Sequence, residues 1–154
     1  MLKTAKTTVL ASGFWRLKAP RWHLGALWVS DPRAGMVYRI DLDGKVTVVA
    51  DVPSRPFGLG FLPDGDLLVA SMTQRLILNL AGGKAAVHAD LADAAVGYLR
   101  DMAVARDGNA YVTSFDADAA KCWSRRRSAI ECFLSRSRMT ARCCIEGCSQ
   151  TLRG

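Results

Sequence analysis

The sequence predicts an all-β protein built as a partial β-propeller, a ring of four-stranded sheets called blades. Three short β-prone segments, GALWVSD, GDLLVAS and GNAYVTS, are each opened by a glycine turn. Their glycines, Gly25, Gly65 and Gly108, are 40 and 43 residues apart. A period near 40 residues with about four strands per unit is typical of propeller blades. An antiparallel sandwich with evenly spaced turns is the alternative that this spacing leaves open.

The segments between these strands repeat as well, which extends each unit toward four strands. GMVYRIDLDGKVTVVA, residues 35–50, is predicted to form a strand, an Asp-Gly hairpin turn and a second strand. QRLILNLAGGKAAVHA, residues 74–89, follows the same pattern with two glycines at its turn. The third unit begins at residue 108, and the repeat stops near Asp118. About two and a half blades are therefore expected.

Charge is divided unevenly along the chain, which carries a formal +7 in 154 residues. Residues 1–120 hold 13 Lys and Arg against 12 Asp and Glu, whereas residues 121–154 hold 8 against 2. All five cysteines also lie in the second part. We therefore divide the chain into a truncated propeller region, residues 1–120, and a basic tail, residues 121–154, that is predicted to be irregular or disordered.

The tail matches no functional pattern well. A zinc site needs paired ligands such as Cys-x-x-Cys, but Cys143 and Cys144 are adjacent and Cys148 stands alone. The odd number of cysteines argues against a disulfide framework, and arginine content alone is weak evidence for nucleic-acid binding. We favour out-of-register sequence without a fold, as a frameshift in DNA rich in G and C would leave. No nucleic-acid partner is expected.

Five segments of the propeller region occur in the order found in one family of propeller enzymes. They are TTVLASGF, PRWHLGALWVSD, VYRIDLDGKV, RPFGLGFLPDGDLLVASM and RDMAVARDGNAYV. From about Thr7 to Phe115 the chain resembles the N-terminal part of the senescence-marker-protein/gluconolactonase family. The resemblance implies a six-bladed propeller with a divalent metal, Ca²⁺ or Zn²⁺, in its central channel, and hydrolysis of lactones or related esters. Such a metal polarises the carbonyl group and helps to activate water.

Two residues depart from the family pattern where the resemblance implies channel positions. Lys18 stands where the family has a Glu that is a metal ligand, and residues 1–120 contain no Glu that could take its place. Arg100 replaces the Asn that contacts metal-bound water or substrate, whereas Asp101 of the same Asn-Asp motif is retained. Cations at these positions oppose a divalent ion, which needs oxygen ligands. The resemblance thus suggests Asp101 as a catalytic candidate, Arg100 as a substrate-binding candidate and Lys18 as a lost metal ligand; ordinary surface charges are the alternative.

We interpret the chain as a truncated, catalytically inactive member of this family that binds no metal. The alternative is a non-catalytic propeller fragment that acts as a binding module or has no role. The ligand implied by the resemblance is a small lactone. No run approaches the roughly 18 apolar residues of a membrane span, so a cytoplasmic location is expected. The open sheet edges of a partial propeller predict self-association.

Overall fold

The computed structural model describes residues 6–95 and 97–115, together with the backbone of three further strands between residues 130 and 151. In this part of the chain every regular element is a β-strand, and no helix is long and apolar enough to cross a membrane. The first sheet consists of β1 (Lys18–His23), β2 (Ala26–Asp31), β3 (Met36–Ile40) and β4 (Val46–Asp51). The second consists of β5 (Pro56–Phe61), β6 (Leu67–Ser71), β7 (Leu76–Ala81) and β8 (Lys84–Asp90). The third consists of β9 (Tyr98–Val104), β10 (Ala110–Phe115), β11 (Ile130–Ser135), β12 (Arg138–Ile145) and β13 (Cys148–Thr151).

Each sheet is an antiparallel meander in which consecutive strands are neighbours. The hairpin turn between β1 and β2 shows why the local sequence suits this arrangement. It consists of Leu24 and Gly25, both in the left-handed region with φ of 46° and 73°. A two-residue turn of this kind twists in the same sense as the strands that it joins.

The 40-residue period is also visible in the packing. Buried residues recur at this spacing on the second and third strands of the first two sheets: Val29 and Val69, Val37 and Ile77, and Ile40 and Leu80. The strand register also shifts at matching places, after Val37 in the pairing of β3 with β4 and after Ile77 in the pairing of β7 with β8. The repeated units predicted from the sequence are therefore confirmed, and the sheets are successive blades.

Neighbouring sheets pack through two apolar layers. The first strands of the sheets lie side by side, with β5 between β1 and β9. The layer between the first and second sheets includes Val37, Val52, Leu59 and Val69. The layer between the second and third sheets includes Leu68, Ile77, Leu99, Met102 and Val112. Each blade thus buries its apolar residues against the next one, as propeller blades do.

Gly58 in β5 lies close to the backbone of the third sheet. A Cβ atom at this position would lie 2.7 Å from the carbonyl oxygen of Arg100 and 2.8 Å from the nitrogen of Met102. Both are backbone atoms and cannot move aside as a flexible side chain would, so the packing requires glycine. The approach also brings Phe57, the preceding residue, next to Arg100.

Within residues 121–154, predicted to be irregular or disordered, the structure describes three strands, and the rest of this segment lies outside the described residues. β11 pairs with β10, and β12 and β13 follow in chain order, so the third sheet continues to residue 151. Strand pairing is made by backbone N–H and C=O groups, which do not depend on a side-chain pattern. The open edge of β10 therefore pairs with a segment whose composition carries no strand signal. The out-of-register origin of residues 121–154 stays a prediction.

Candidate functional site

The first strands of the three sheets meet at a place where each is locally irregular. In β1 the register shifts between Lys18 and Arg21, and in β5 it shifts between Pro56 and Leu59. The pairing of β9 with β10 contains a similar shift, opposite Thr113. A bulge re-aims the side chains on its strand and is common next to binding sites.

The ring of Phe57 lies close to both of the cations that are unusual in the sequence, Lys18 and Arg100. Lys18 Nζ lies 5.9 Å from the centre of this ring, and the guanidinium carbon of Arg100 lies 5.2 Å from it. The Arg100 guanidinium is also 5.1 Å from the centre of the Phe115 ring. These distances are in the range of attraction between a cation and an aromatic face. We call Lys18, Phe57, Arg100 and Phe115 the cationic site.

The positive charge of the cationic site is not balanced by the described residues. The ion pairs found among them join Arg21 to Asp101 and Arg39 to Asp41, and neither includes Lys18 or Arg100. The two charged side chains of the cationic site, Lys18 and Arg100, are half-buried. A partly desolvated cation without an acidic partner attracts anions more strongly than a fully solvated one does.

Asp101, the catalytic candidate, is engaged by other groups. Its Oδ1 accepts hydrogen bonds from Arg21 Nη2 at 2.7 Å and from the backbone N–H of Met102 at 2.8 Å. The backbone carbonyl of Asp101 also accepts a hydrogen bond from Thr113 Oγ1 at 3.2 Å. These contacts hold the bulge of β9 in place, which is a structural role. The catalytic role suggested for Asp101 stays a prediction.

Arg21 connects the first strands of all three sheets, and the sequence analysis did not single it out. Its Nε donates to the carbonyl oxygen of Leu59 in β5 at 2.9 Å. Its Nη2 donates to Asp101 and to the carbonyl oxygen of Met102, both in β9. In the sequence, Arg21 was marked only as the second residue of the family segment PRWHLGALWVSD. One guanidinium therefore sets how β1, β5 and β9 lie relative to one another.

The fully buried Ser30 fixes the backbone beneath the cationic site. Its hydroxyl donates to the carbonyl oxygen of Phe57 at 2.6 Å, and the carbonyl oxygen of Lys18, its partner in the pairing of β1 with β2, lies 3.3 Å from the same Oγ. Because a serine hydroxyl has one proton, its main bond links β5, which carries the aromatic ring, to β2, which is paired with the strand that carries the lysine. Such support keeps a site in one geometry before a ligand arrives.

Asp31, the last residue of β2, is a buried carboxylate next to Ser30. It holds two backbone segments together and does not face the cationic residues with a free oxygen. Its Oδ2 accepts the backbone N–H groups of Trp15 and Arg16, and its Oδ1 accepts those of Arg33 and Ala34. Burial alone would raise the pKa of Asp31, but the four N–H donors outweigh it and hold the pKa below its usual value. This carboxylate ties the segment before β1 to the turn after β2.

The residues of this region do not fit a divalent metal ion. Among residues 6–95 and 97–115, no three His, Cys, Asp or Glu side chains come close enough together to hold one. Lys18 and Arg100 supply positive charge where a hard cation needs several oxygen ligands. The carboxylates of Asp31 and Asp101 are already used by backbone donors and by Arg21.

The chain matches the family model described as SMP-30/Gluconolactonase/LRE-like region over residues 18–129, which is most of its length. The chain belongs to this family. No curated protein sequence matches it. The resemblance seen in the sequence is therefore confirmed for the N-terminal part of the family fold.

Solved structures of several kinds share this fold. A gluconolactonase from Xanthomonas campestris superposes with a TM-score of 0.73 at 19% identity, covering 87% of this chain and 48% of that one. Regucalcin from Agrobacterium tumefaciens, described as a calcium-binding protein, gives 0.54 at 21% identity over 66% of this chain and 42% of that one. A nidogen/laminin complex gives 0.61 at 14% identity over 81% and 46%. The chain spans about half the length of these relatives, and identities this low establish the fold alone.

Proposed function

We propose that this chain is a ligand-binding member of the gluconolactonase-like family and does not carry out metal-dependent hydrolysis of lactones. One observation carries the proposal: Lys18 and Arg100 both lie close to the Phe57 ring. The family resemblance assigns the position of Lys18 to a metal ligand and that of Arg100 to an Asn that contacts metal-bound water or substrate. Catalysis by a divalent ion depends on the positive charge of that ion at the substrate carbonyl. Two protein cations at the same place repel the ion and offer it no lone pair.

The same residues support contact with a small polar ligand. The Arg100 guanidinium has several N–H donors and can hold the carbonyl oxygen of a lactone. Phe57 and Phe115 add apolar surface next to it. Arg100 therefore keeps the substrate-binding role suggested from the sequence. Asp101 acts as a positioning residue through its ion pair with Arg21.

Metal-dependent lactone hydrolysis is the second candidate, favoured by the family match over residues 18–129. Hydrolysis of D-glucono-1,5-lactone by the purified chain distinguishes the two. We expect a rate equal to the uncatalysed one, with or without Ca²⁺. Calcium is the better probe because zinc would also bind the cysteine thiolates of the tail, which calcium does not favour.

Calcium titration of matched variants tests the reason for the expected inactivity. Lys18→Glu exchanges a repelling charge for an oxygen ligand, so it is expected to raise calcium affinity. Lys84→Glu makes the same exchange at an exposed position in β8 and is expected to have little effect. Stoichiometric calcium binding by the unmodified chain, together with lactone turnover that a chelator abolishes, would show that the proposed function is wrong.

A further inference from the structure

We propose that the cationic site binds a small organic carboxylate. This inference rests on the proposed function, because a divalent cation held at the same place would change its charge. It names the ligand class that the two cations and the two aromatic rings recognise.

The positive charge of the cationic site favours an anionic ligand. Lys18 and Arg100 come from β1 and β9, and in the described part of the chain neither forms an ion pair with an acidic side chain. The acidic neighbour of Arg100 in the sequence, Asp101, is paired with Arg21 instead. Half-buried cations interact with a ligand more strongly than exposed ones, since less water competes for them.

The geometry favours a carboxylate with an attached carbon skeleton. The Arg100 guanidinium lies near both Phe57 and Phe115, which limits the directions in which its planar N–H groups can point. A guanidinium and a carboxylate match as planar partners that form two parallel hydrogen bonds. Lys18, on the same Phe57 ring, adds a second charge. The rings provide apolar surface for the hydrocarbon or sugar-like body of the ligand.

A phosphate or a nucleic acid fits these features less well. A phosphate dianion carries three acceptor oxygens around one atom and gains nothing from aromatic surface beside the charged groups. Nucleic-acid binding needs a basic stripe, whereas residues 1–120 carry almost equal numbers of basic and acidic side chains, 13 and 12. A carboxylate with a short carbon body uses both the cations and the rings.

The site is held in place before a ligand arrives. Ser30, which pairs with Lys18 in the first sheet, donates its hydroxyl proton to the Phe57 carbonyl oxygen, and Arg21 connects β1 to β5 and β9. Gly58 allows β5 to approach the Arg100 backbone closely. A ligand therefore meets a site whose backbone need not reorganise, which lowers the entropic cost of binding.

Calorimetric titration of the full chain with sodium D-gluconate, in buffer freed of divalent metal ions by a chelating resin and at low ionic strength, tests the inference. We expect saturable binding that weakens as salt is added. Sorbitol, a neutral polyol of similar size, is expected not to bind, and inorganic phosphate is expected to bind more weakly than gluconate. Lys18→Gln and Arg100→Gln should each weaken gluconate binding at least tenfold, by analogy with other charge-assisted contacts. Lys84→Gln, which removes one exposed positive charge, should change it less than twofold.

Charge-conserving variants separate binding from folding. Lys18→Arg keeps the positive charge and is expected to retain most of the affinity. Arg100→Lys keeps the charge but loses the two parallel hydrogen bonds, so it is expected to weaken gluconate binding, though less than Arg100→Gln does. The inference is wrong if the unmodified chain shows no saturable gluconate binding, if phosphate or sorbitol binds as well as gluconate, or if Lys84→Gln weakens binding as much as the site variants. Because binding is measured in metal-free buffer with a carboxylate that does not react, its failure leaves the proposed lack of hydrolysis untouched. Metal-dependent turnover would refute the proposed function without changing the gluconate result.

Discussion

Arg21→Met tests whether one guanidinium holds the first strands of the three sheets together. The side chain is 28% exposed, and it donates to the carbonyl oxygens of Leu59 and Met102 and to the Asp101 carboxylate. Methionine keeps most of the length and apolar contact of the arginine stem but removes every donor. The variant therefore leaves the carbonyl oxygens of Leu59 and Met102 without the arginine donor. Among the described residues, the Asp101 carboxylate keeps only the backbone N–H of Met102.

The cost can be estimated from these contacts. Each carbonyl left without its donor costs roughly 1 kcal/mol where water reaches it incompletely. The ion pair adds at most about 1 kcal/mol, because Asp101 is 57% exposed and solvent screens the interaction. The free energy of unfolding is thus expected to fall by about 2–3 kcal/mol. For a domain of this size that corresponds to a fall in Tm of roughly 10 °C.

Arg39→Met is the matched control. Arg39 is 36% exposed and pairs with Asp41 at 2.7 Å, but both residues belong to the first sheet and its turn. Its loss is expected to cost less than about 1 kcal/mol. Urea unfolding followed by circular dichroism measures both variants at equal protein concentration. If Arg21→Met costs no more than Arg39→Met, the connection between sheets is not made by this guanidinium.

The remaining predictions concern the close approach of the sheets and the buried carboxylate. Gly58→Ala should destabilise the fold by about 1–3 kcal/mol and weaken gluconate binding, because its Cβ would meet backbone atoms of β9. Gly60→Ala, whose Cβ would instead meet Cγ2 of Val104, an atom that a change of the Val104 rotamer can move aside, should cost less in the same unfolding assay; an equal cost would contradict this explanation. Asp31 has a lowered pKa in the folded state, so its stabilising contribution is present above about pH 4 and is lost as the pH falls through the folded pKa. Unfolding at several pH values should show Asp31→Asn to be less stable than the unmodified chain at pH 7, with the difference shrinking in acid; a difference that does not change with pH would refute this account.

Much of the fold could be predicted from local features. Glycine at the turns, short β-branched runs and the Asp-Gly hairpin are properties of a few consecutive residues, and their period indicated repeated blades. The strands and the shared register shifts of the first two sheets follow that period. The tail lacked such signals, yet β11–β13 continue the third sheet, because an open strand edge pairs through backbone groups that every segment carries.

The sequence by itself determined the strands, the turns, the repeat and the family, since each depends on residues close together in the chain or on motifs in a set order. It also showed that Lys18 and Arg100 are unusual. Only the tertiary structure decided that these two cations lie against one ring, and that Arg21 binds Asp101, 80 residues further along the chain. Contacts between distant residues depend on how the sheets pack and on where bulges turn the side chains, and no local pattern records that geometry.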